Sequence, residues 1–302
     1  MSPRASRPRP TVATPRRRTR TREQEEREPV VIVGFGRVGG ALALGLARSG
    51  WPVSVFPRSG ESLRRAASLG LRIADDVALQ TARLAIFAVP DMAVAEASAA
   101  MLEDLGPKTA LVHCAGALPL SVFGDAPAVH KRMRGSFHPL VAVSDPGDPL
   151  EGHTVAISAT GRALKSLLRR MAEDLRLPVI EVSEAQRAAY HAGAVLAAGG
   201  VVSLLSAAVQ AFAHAGVPAD DALRALLPLS RSALRGVEAR GLAGGLTGPV
   251  RRGDVEVVRA HQRALPGEVG ALYRLLSKQA LALAEEGLSP DLRDALRRTL
   301  KG

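Results

Sequence analysis

Several shortages narrow the options for this chain. Its 302 residues include one cysteine, Cys114. An intrachain disulfide is impossible, and a cysteine-built zinc site lacks ligands; no metal site is expected. That fits a reducing cytoplasm. Only five of the 40 basic residues are lysine, so the formal net charge of +11 is an arginine charge. Residues 1–28 carry nine arginines against four glutamates, which supplies +5 of it. Arginine and alanine in joint excess point to a GC-rich genome before they point to a phosphate-binding surface, and no nucleic-acid partner is expected. Aromatics are 3% of a chain that is 47% hydrophobic, the composition of a helix-rich core packed with small side chains. No apolar run reaches the roughly 18 residues needed to span a bilayer. The richest stretch, Ala192 to Ala213, is broken by glycine, serine and glutamine, so no membrane partner is expected. The N-terminus has no apolar secretory core.

Two parts differ in composition from the start. Residues 1–28 hold Pro, Arg, Thr, Ser and Glu with a single valine, and read as a solvated, disordered tail. Order is expected from Pro29 onward. Short β-branched runs alternate with amphipathic segments: strands at 30–33, 53–56, 71–73, 84–89 and 110–113, helices at 38–49, 61–69 and 92–105. Strands at 154–158 and 179–182 follow, with a helix at 162–175 between them. The β signal then stops. Ser183 to Gln186 has the S-x-x-Q form of a capping box opening a long helix to about Ala215. Helices at 219–227, 231–240, 254–264, 268–286 and 291–300 complete the chain. This pattern predicts a Rossmann-type, doubly wound parallel sheet over 29–183, then an all-α domain over 184–302 for substrate and dimerisation.

The first strand runs into Gly34-Phe35-Gly36-Arg37-Val38-Gly39. With a strand before it and a helix after it, G-x-G-x-x-G is a dinucleotide turn. Gly34 turns the chain, Gly36 admits the pyrophosphate and Gly39 lets the helix pack on the strand. The second strand ends in Pro57-Arg58-Ser59 without the carboxylate that would bind a ribose 2′-hydroxyl. Arg58 and Ser59 suit a 2′-phosphate, which makes NADP(H) the expected cofactor. Val89 and Pro90 end the fourth strand, where the chain turns away from the nicotinamide half.

Ligands of open α/β sheets lie beyond the carboxyl strand ends. His113 ends one strand, beside a Cys114 that reads as a small buried hydrophobe. His138, fixed between Phe137 and Pro139, suits an acid or base near neutral pH. His191 on the long helix is a second candidate. Tyr190 beside it should point about 100° away, so one of the two would face the cleft. Ser136 and Thr247, with His113, are candidate substrate contacts. Thr247 opens the loop Thr247-Gly248-Pro249…Gly253-Asp254, in which Asp254 is a candidate N-cap.

Taken together, Gly34–Gly39, Gly135-Ser136-Phe137-His138-Pro139, Tyr190-His191 and the Thr247–Asp254 loop resemble predicted oxidoreductases that join a Rossmann-like domain to a C-terminal helical domain of unknown function. The group is similar to ketopantoate reductase, pyrroline-5-carboxylate reductase and prephenate dehydrogenase. His138-Pro139 looks like the His-Pro element of the last, which implies a proton-transfer role for His138. Relatives tend to have Ser-Asn where this chain has Ala198-Gly199, and no lysine lies between Lys165 and Lys278 to serve as in ketopantoate reductases. With the expected NADP(H), the resemblance implies an oxidoreductase acting on a small carbonyl, imine or hydroxy acid; C-terminal helices apolar on more than one face point to a homodimer. The runner-up is a dinucleotide-binding regulator without turnover.

Overall fold

A computed structural model describes residues 27–301. The basic tail read over 1–28 lies outside them apart from its last two residues. The described chain divides into two compact units between His191 and Ala192, against a boundary expected near 183.

The first unit alternates strands and helices: β1 Val30–Val33, α1 Arg37–Arg48, β2 Val53–Phe56, α2 Gly60–Ser68, β3 Arg72–Ile73, α3 Asp76–Thr81, β4 Leu84–Phe87, α4 Val94–Ala100, β5 Ala110–His113, α5 Pro127–His130, β6 Arg134–Pro139, β7 Val155–Ala159, α6 Arg162–Asp174 and β8 Val179–Glu181. The eight strands make one sheet in the order β3-β2-β1-β4-β5-β6-β7-β8. All four residues of β1 are buried because helices cover both faces. Val30 and Ile32 join Leu42 and Leu46 of α1 and Leu164, Leu168 and Met171 of α6. Val31 and Val33 join Leu79 of α3 and Val94 and Ala97 of α4. Each such side chain contributes about 1.5–3 kcal/mol by leaving water.

The sheet departs from the expected all-parallel form in one place. β6 was not expected as a strand, and it pairs antiparallel with β7, Phe137 opposite Ile157. Its sequence, RGSFHP, carries glycine, proline and three polar residues, so it lacks the apolar run that marks a buried strand. Phe137 supplies the core contact while Ser136 and His138 lie on the opposite face, as strand alternation requires. Residues 140–154 connect β6 to β7 without a crossover helix. The short α3 was also not expected, and the segment expected as one helix over 92–105 is helical by α geometry only at 94–100.

The long helix expected from Ser183 is interrupted. It comprises α7 Arg187–Ala197, which carries the unit boundary, and α8 Gly199–His214, with Ala198 between them at φ −107°, ψ −80°. Ser183 does not cap it; its hydroxyl bonds the Gln186 side chain instead. The second unit continues with α9 Ala219–Gly245, α10 Pro249–Arg252, α11 Val255–Ala264, α12 Gly267–Ala284 and α13 Pro290–Lys301. The helices expected at 219–227 and 231–240 are one, running through an exposed Pro228 and breaking only at Gly241, where φ is +72°. Val250, Val258, Leu281, Leu296 and Leu300 form this unit's core.

Candidate functional site

Two constellations lie at the carboxyl ends of the first unit's parallel strands. The first is the glycine turn between β1 and α1. Gly34 sits at φ +96°, and a Cβ there would lie 2.7 Å from the Ala88 carbonyl oxygen and 2.8 Å from Val89 Cγ1, so the turn rests on the end of β4. A Cβ on Gly39 would collide with the Gly34 carbonyl oxygen, whereas one on Gly36 would meet nothing within 4 Å. Open space therefore lies over Gly36 and the exposed Arg37, while Phe35 is buried beneath and Val38 is half-buried. α1 has neither a side-chain cap nor an acidic residue in its first turn. Its leading N–H groups are left for an anion.

At the end of β2, Arg58 is exposed and, like Arg64, makes no ion pair among the described residues. Arg65 pairs with Asp145. Ser59 caps α2, accepting from the Ser62 N–H at 3.2 Å. Val89 is half-buried and Pro90 exposed at the end of β4. An open glycine and an uncapped helix start together fit the phosphates of a dinucleotide.

The second constellation gathers around His138. Ser136 of β6 pairs with His113, the last residue of β5. His138 is two residues farther on, roughly 7 Å past the end of β5 at 3.3 Å per residue. Its Nδ1 lies 2.7 Å from the Tyr190 hydroxyl, and the His191 ring stands edge-on with centroids 5.6 Å apart. Tyr190 and His191 thus approach the same imidazole from different directions, so their angular separation on the helix does not divide their tasks as expected. Gly116 makes room: a Cβ there would collide with His191 Nδ1.

Beneath lies Arg187, 1% exposed. It donates to Ser136 Oγ at 2.7 Å, Ser158 Oγ at 3.2 Å and the Ala115 carbonyl at 2.8 Å. Glu184 accepts from Ser158 Oγ at 3.2 Å and from the Leu120 N–H at 2.6 Å. Burial, with help from His191 and Arg187, pushes His138 down to about 4. Burial and then Arg187 push His113 down to about 3. Both rings are neutral at pH 7. Burial raises the Tyr190 hydroxyl to about 12, so it stays protonated. Burial, with the Asp91 charge second, raises the partly exposed Cys114 to about 12, far from a nucleophilic thiolate. Both nitrogens of His113, Nε of Arg187 and Nδ1 of His191 are buried without a hydrogen-bond partner.

His138, His191, Ser136 and His113 therefore come together, with Ser136 and His113 fully buried. Thr247 is exposed in the second unit, ahead of α10; there Asp254 pairs with Arg252 and does not cap α11. Sequence reading missed Arg187, Glu184 and Ser158. The available signal was spacing: Glu184, Arg187 and His191 follow at three and four residues, which puts them on one helical face.

Residues 29–131 match the NAD binding domain of 6-phosphogluconate dehydrogenase. Residues 153–280 match a domain of unknown function, DUF2520. The chain joins an NAD-binding domain to a DUF2520 domain. Among solved structures it is similar to a candidate NADP oxidoreductase of Bacteroides fragilis, at 27% identity and TM-score 0.67, over 85% of this chain and 98% of that one. It is similar in fold to a Thermotoga maritima protein, at 21% identity and TM-score 0.69, over 85% and 99%. An imine reductase of a Pseudomonas species shares the fold at 18% identity and TM-score 0.58, over 91% and 100%. No protein of curated function matches the sequence.

The geometry separates two glycine substitutions in the NAD-binding domain. Gly36→Ala should unfold at the wild-type temperature yet lose binding of the nicotinamide dinucleotide, followed by quenching of protein fluorescence. Gly39→Ala should lose about 1–3 kcal/mol of stability through overpacking, measured by urea unfolding. His113 and His138 make a second expectation. Their folded pKa values lie below the ordinary 6.5, so the unfolded chain binds more protons between about pH 3 and 6.5. The stability they give is complete above pH 6.5 and is lost as pH falls through that window. His113→Leu, which removes two orphaned buried nitrogens, should raise stability at pH 5 by about 1–3 kcal/mol and flatten the acid side of the urea-midpoint profile.

Proposed function

We propose that the protein is an NADP-dependent oxidoreductase that moves a hydride between the nicotinamide and a small carbonyl, imine or hydroxy-acid substrate. The observation that carries this reading is the 2.7 Å contact of His138 Nδ1 with Tyr190 Oη, placed past the end of β5 on the same sheet edge as the glycine turn. When bound, the nicotinamide supplies or accepts the hydride at its C4.

The residues of the chain supply binding and proton transfer. The free N–H groups of α1 and the open face of Gly36 hold the pyrophosphate. Arg58 holds the 2′-phosphate, and Val89 and Pro90 border the nicotinamide half. The Tyr190 hydroxyl can donate to Nδ1 or accept from it. With Tyr190 donating, the ring proton of neutral His138 sits on Nε2, ready for the substrate oxygen or nitrogen in reduction; solvent then restores the proton passed along through Tyr190. With Tyr190 accepting from Nδ1–H, Nε2 is a free base for hydroxyl oxidation. His191 closes the other side of the imidazole, and Ser136 acts through Arg187.

The exposed apolar helix α8 is assigned to a second copy of the chain. Val201, Val202 and Leu204 are exposed, as are Val195 and Leu196 at the end of α7, and α8 has no buried residue. The span Glu184–His214, which contains an 18-residue stretch of mean hydropathy 2.0, is long and apolar enough to cross a bilayer. Its first turns, though, are committed to Ser136, Ser158 and His138, and it breaks at Ala198, which favours a helix-to-helix contact over a membrane.

NADPH should bind at least tenfold more tightly than NADH, and Arg58→Ala should erase the difference in a fluorescence titration; equal wild-type affinities would sink the NADP assignment. Tyr190→Phe should lower kcat about 10²-fold or more in NADPH oxidation at 340 nm, with NADPH affinity unchanged. Light scattering should report a dimer for the wild type, and Val202→Glu with Leu204→Glu should shift it to monomer; a wild-type monomer at micromolar concentration would refute the assignment of α8.

A further inference from the structure

Among the described residues, Arg187 is a buried cation without a carboxylate partner. Three of its five guanidinium hydrogens meet neutral acceptors, two serine hydroxyls and one backbone carbonyl, and the one on Nε has no partner. Ordinarily a buried charge is paired, because taking it out of water is costly. The acids within electrostatic reach are both exposed. Glu184 has its two oxygens committed to Leu120 and Ser158, and Asp91 lies in the turn after β4. From β5, His113 faces the cluster as a neutral ring; from α7, the protonated Tyr190 hydroxyl meets His138, and the His191 ring stands edge-on to it. The net field at His138 is therefore positive. Ser136, which Arg187 grips, lies on the same face of β6 as His138, two residues away.

The sign of that field matters differently for the substrates that the proposed function leaves open. In carbonyl reduction the hydride forms a C–H bond and the π pair moves onto oxygen, which takes a proton from His138 Nε2. Negative charge develops where the buried cation can stabilise it. In iminium reduction the hydride again forms a C–H bond, but the π pair cancels a positive charge on nitrogen. That substrate enters as a cation and remains partly cationic at the transition state. Among the described residues, no carboxylate lies against His138 to receive it.

We propose that Arg187 sets the charge selectivity of this site, so that it acts on neutral or anionic carbonyl and hydroxyl groups in preference to cationic iminium groups. Arg187 is a positioning residue, acting through Ser136 and the field at His138 without touching the substrate. The inference rests on the oxidoreductase reading and adds the substrate class to it. It also sets this chain apart from the imine reductase whose fold it shares.

Two measurements on the full chain test it. The first is NADPH oxidation at 340 nm with a panel of 2-oxo acids and aldehydes against cyclic imines at a pH where these are protonated. Wild type should show kcat/KM at least tenfold higher for the best carbonyl, about 1.4 kcal/mol. Arg187→Met should narrow that ratio and Arg187→Lys restore it. The second uses no cofactor: titration of ring-labelled histidine by NMR, with His138 assigned through His138→Asn. Its midpoint should move up in Arg187→Met. Should Arg187→Met fail to fold, the exposed Glu184→Gln serves, and must move the midpoint down and widen the ratio. Preferential turnover of the cyclic imines by wild type, or an unmoved His138 midpoint in the folded variants, overturns the proposal. If NADPH binds and neither panel is reduced, the oxidoreductase reading falls and the substrate class with it, whatever the His138 midpoint shows about the field.

Discussion

One guanidinium joins most of what is chemically interesting in the first unit. Arg187 ties the start of α7 to β6 through Ser136, to β7 through Ser158 and to the turn after β5 through the Ala115 carbonyl. Hydrogen bonds from a charged donor contribute about 1.5–3 kcal/mol each, and these three are made away from competing water. They fix the first turns of α7 against the sheet. Tyr190 and His191, one turn further along, are thereby delivered to His138. Burial does most to keep His138 and His113 neutral, and the Arg187 charge adds to it, so the side chain that fixes the geometry also acts on the protonation.

Much of the cofactor half was legible in the sequence. Val30–Val33 and the three glycines adjoin one another, and the turn they make depends on local backbone shape that periodicity reports well. The structure adds why Gly39 tolerates no side chain and why Gly36 has space above it. The His138 half was legible only as separate words. Residues 134–139 were not expected as a strand, because a strand with one core face and one functional face carries polar residues and glycine. Arg187 drew no expectation, since nothing local distinguishes a buried arginine from the 34 others in the chain.

Breaks in the long apolar segment were hidden for a related reason. Ala198 is a good helix former, yet it marks the joint between α7 and α8. Pro228, a poor helix former, is carried within α9. Both residues are exposed; Ala198 is followed directly by Gly199 and Gly200, the poorer helix formers at that joint. The antiparallel β6–β7 pairing likewise follows from a connection too long to look like a hairpin and too polar to look like a crossover helix.

Cys114 has a practical consequence. It is the sole sulfhydryl of the 302 residues, and burial holds its proton up to about 12. At the mildly alkaline pH used for maleimide or nitroxide chemistry, so little of it is thiolate that it reacts slowly. A cysteine introduced on α2 or α8 would react ahead of it, which opens the glycine turn and the apolar helix to spin-label and fluorescence measurements in the otherwise native protein.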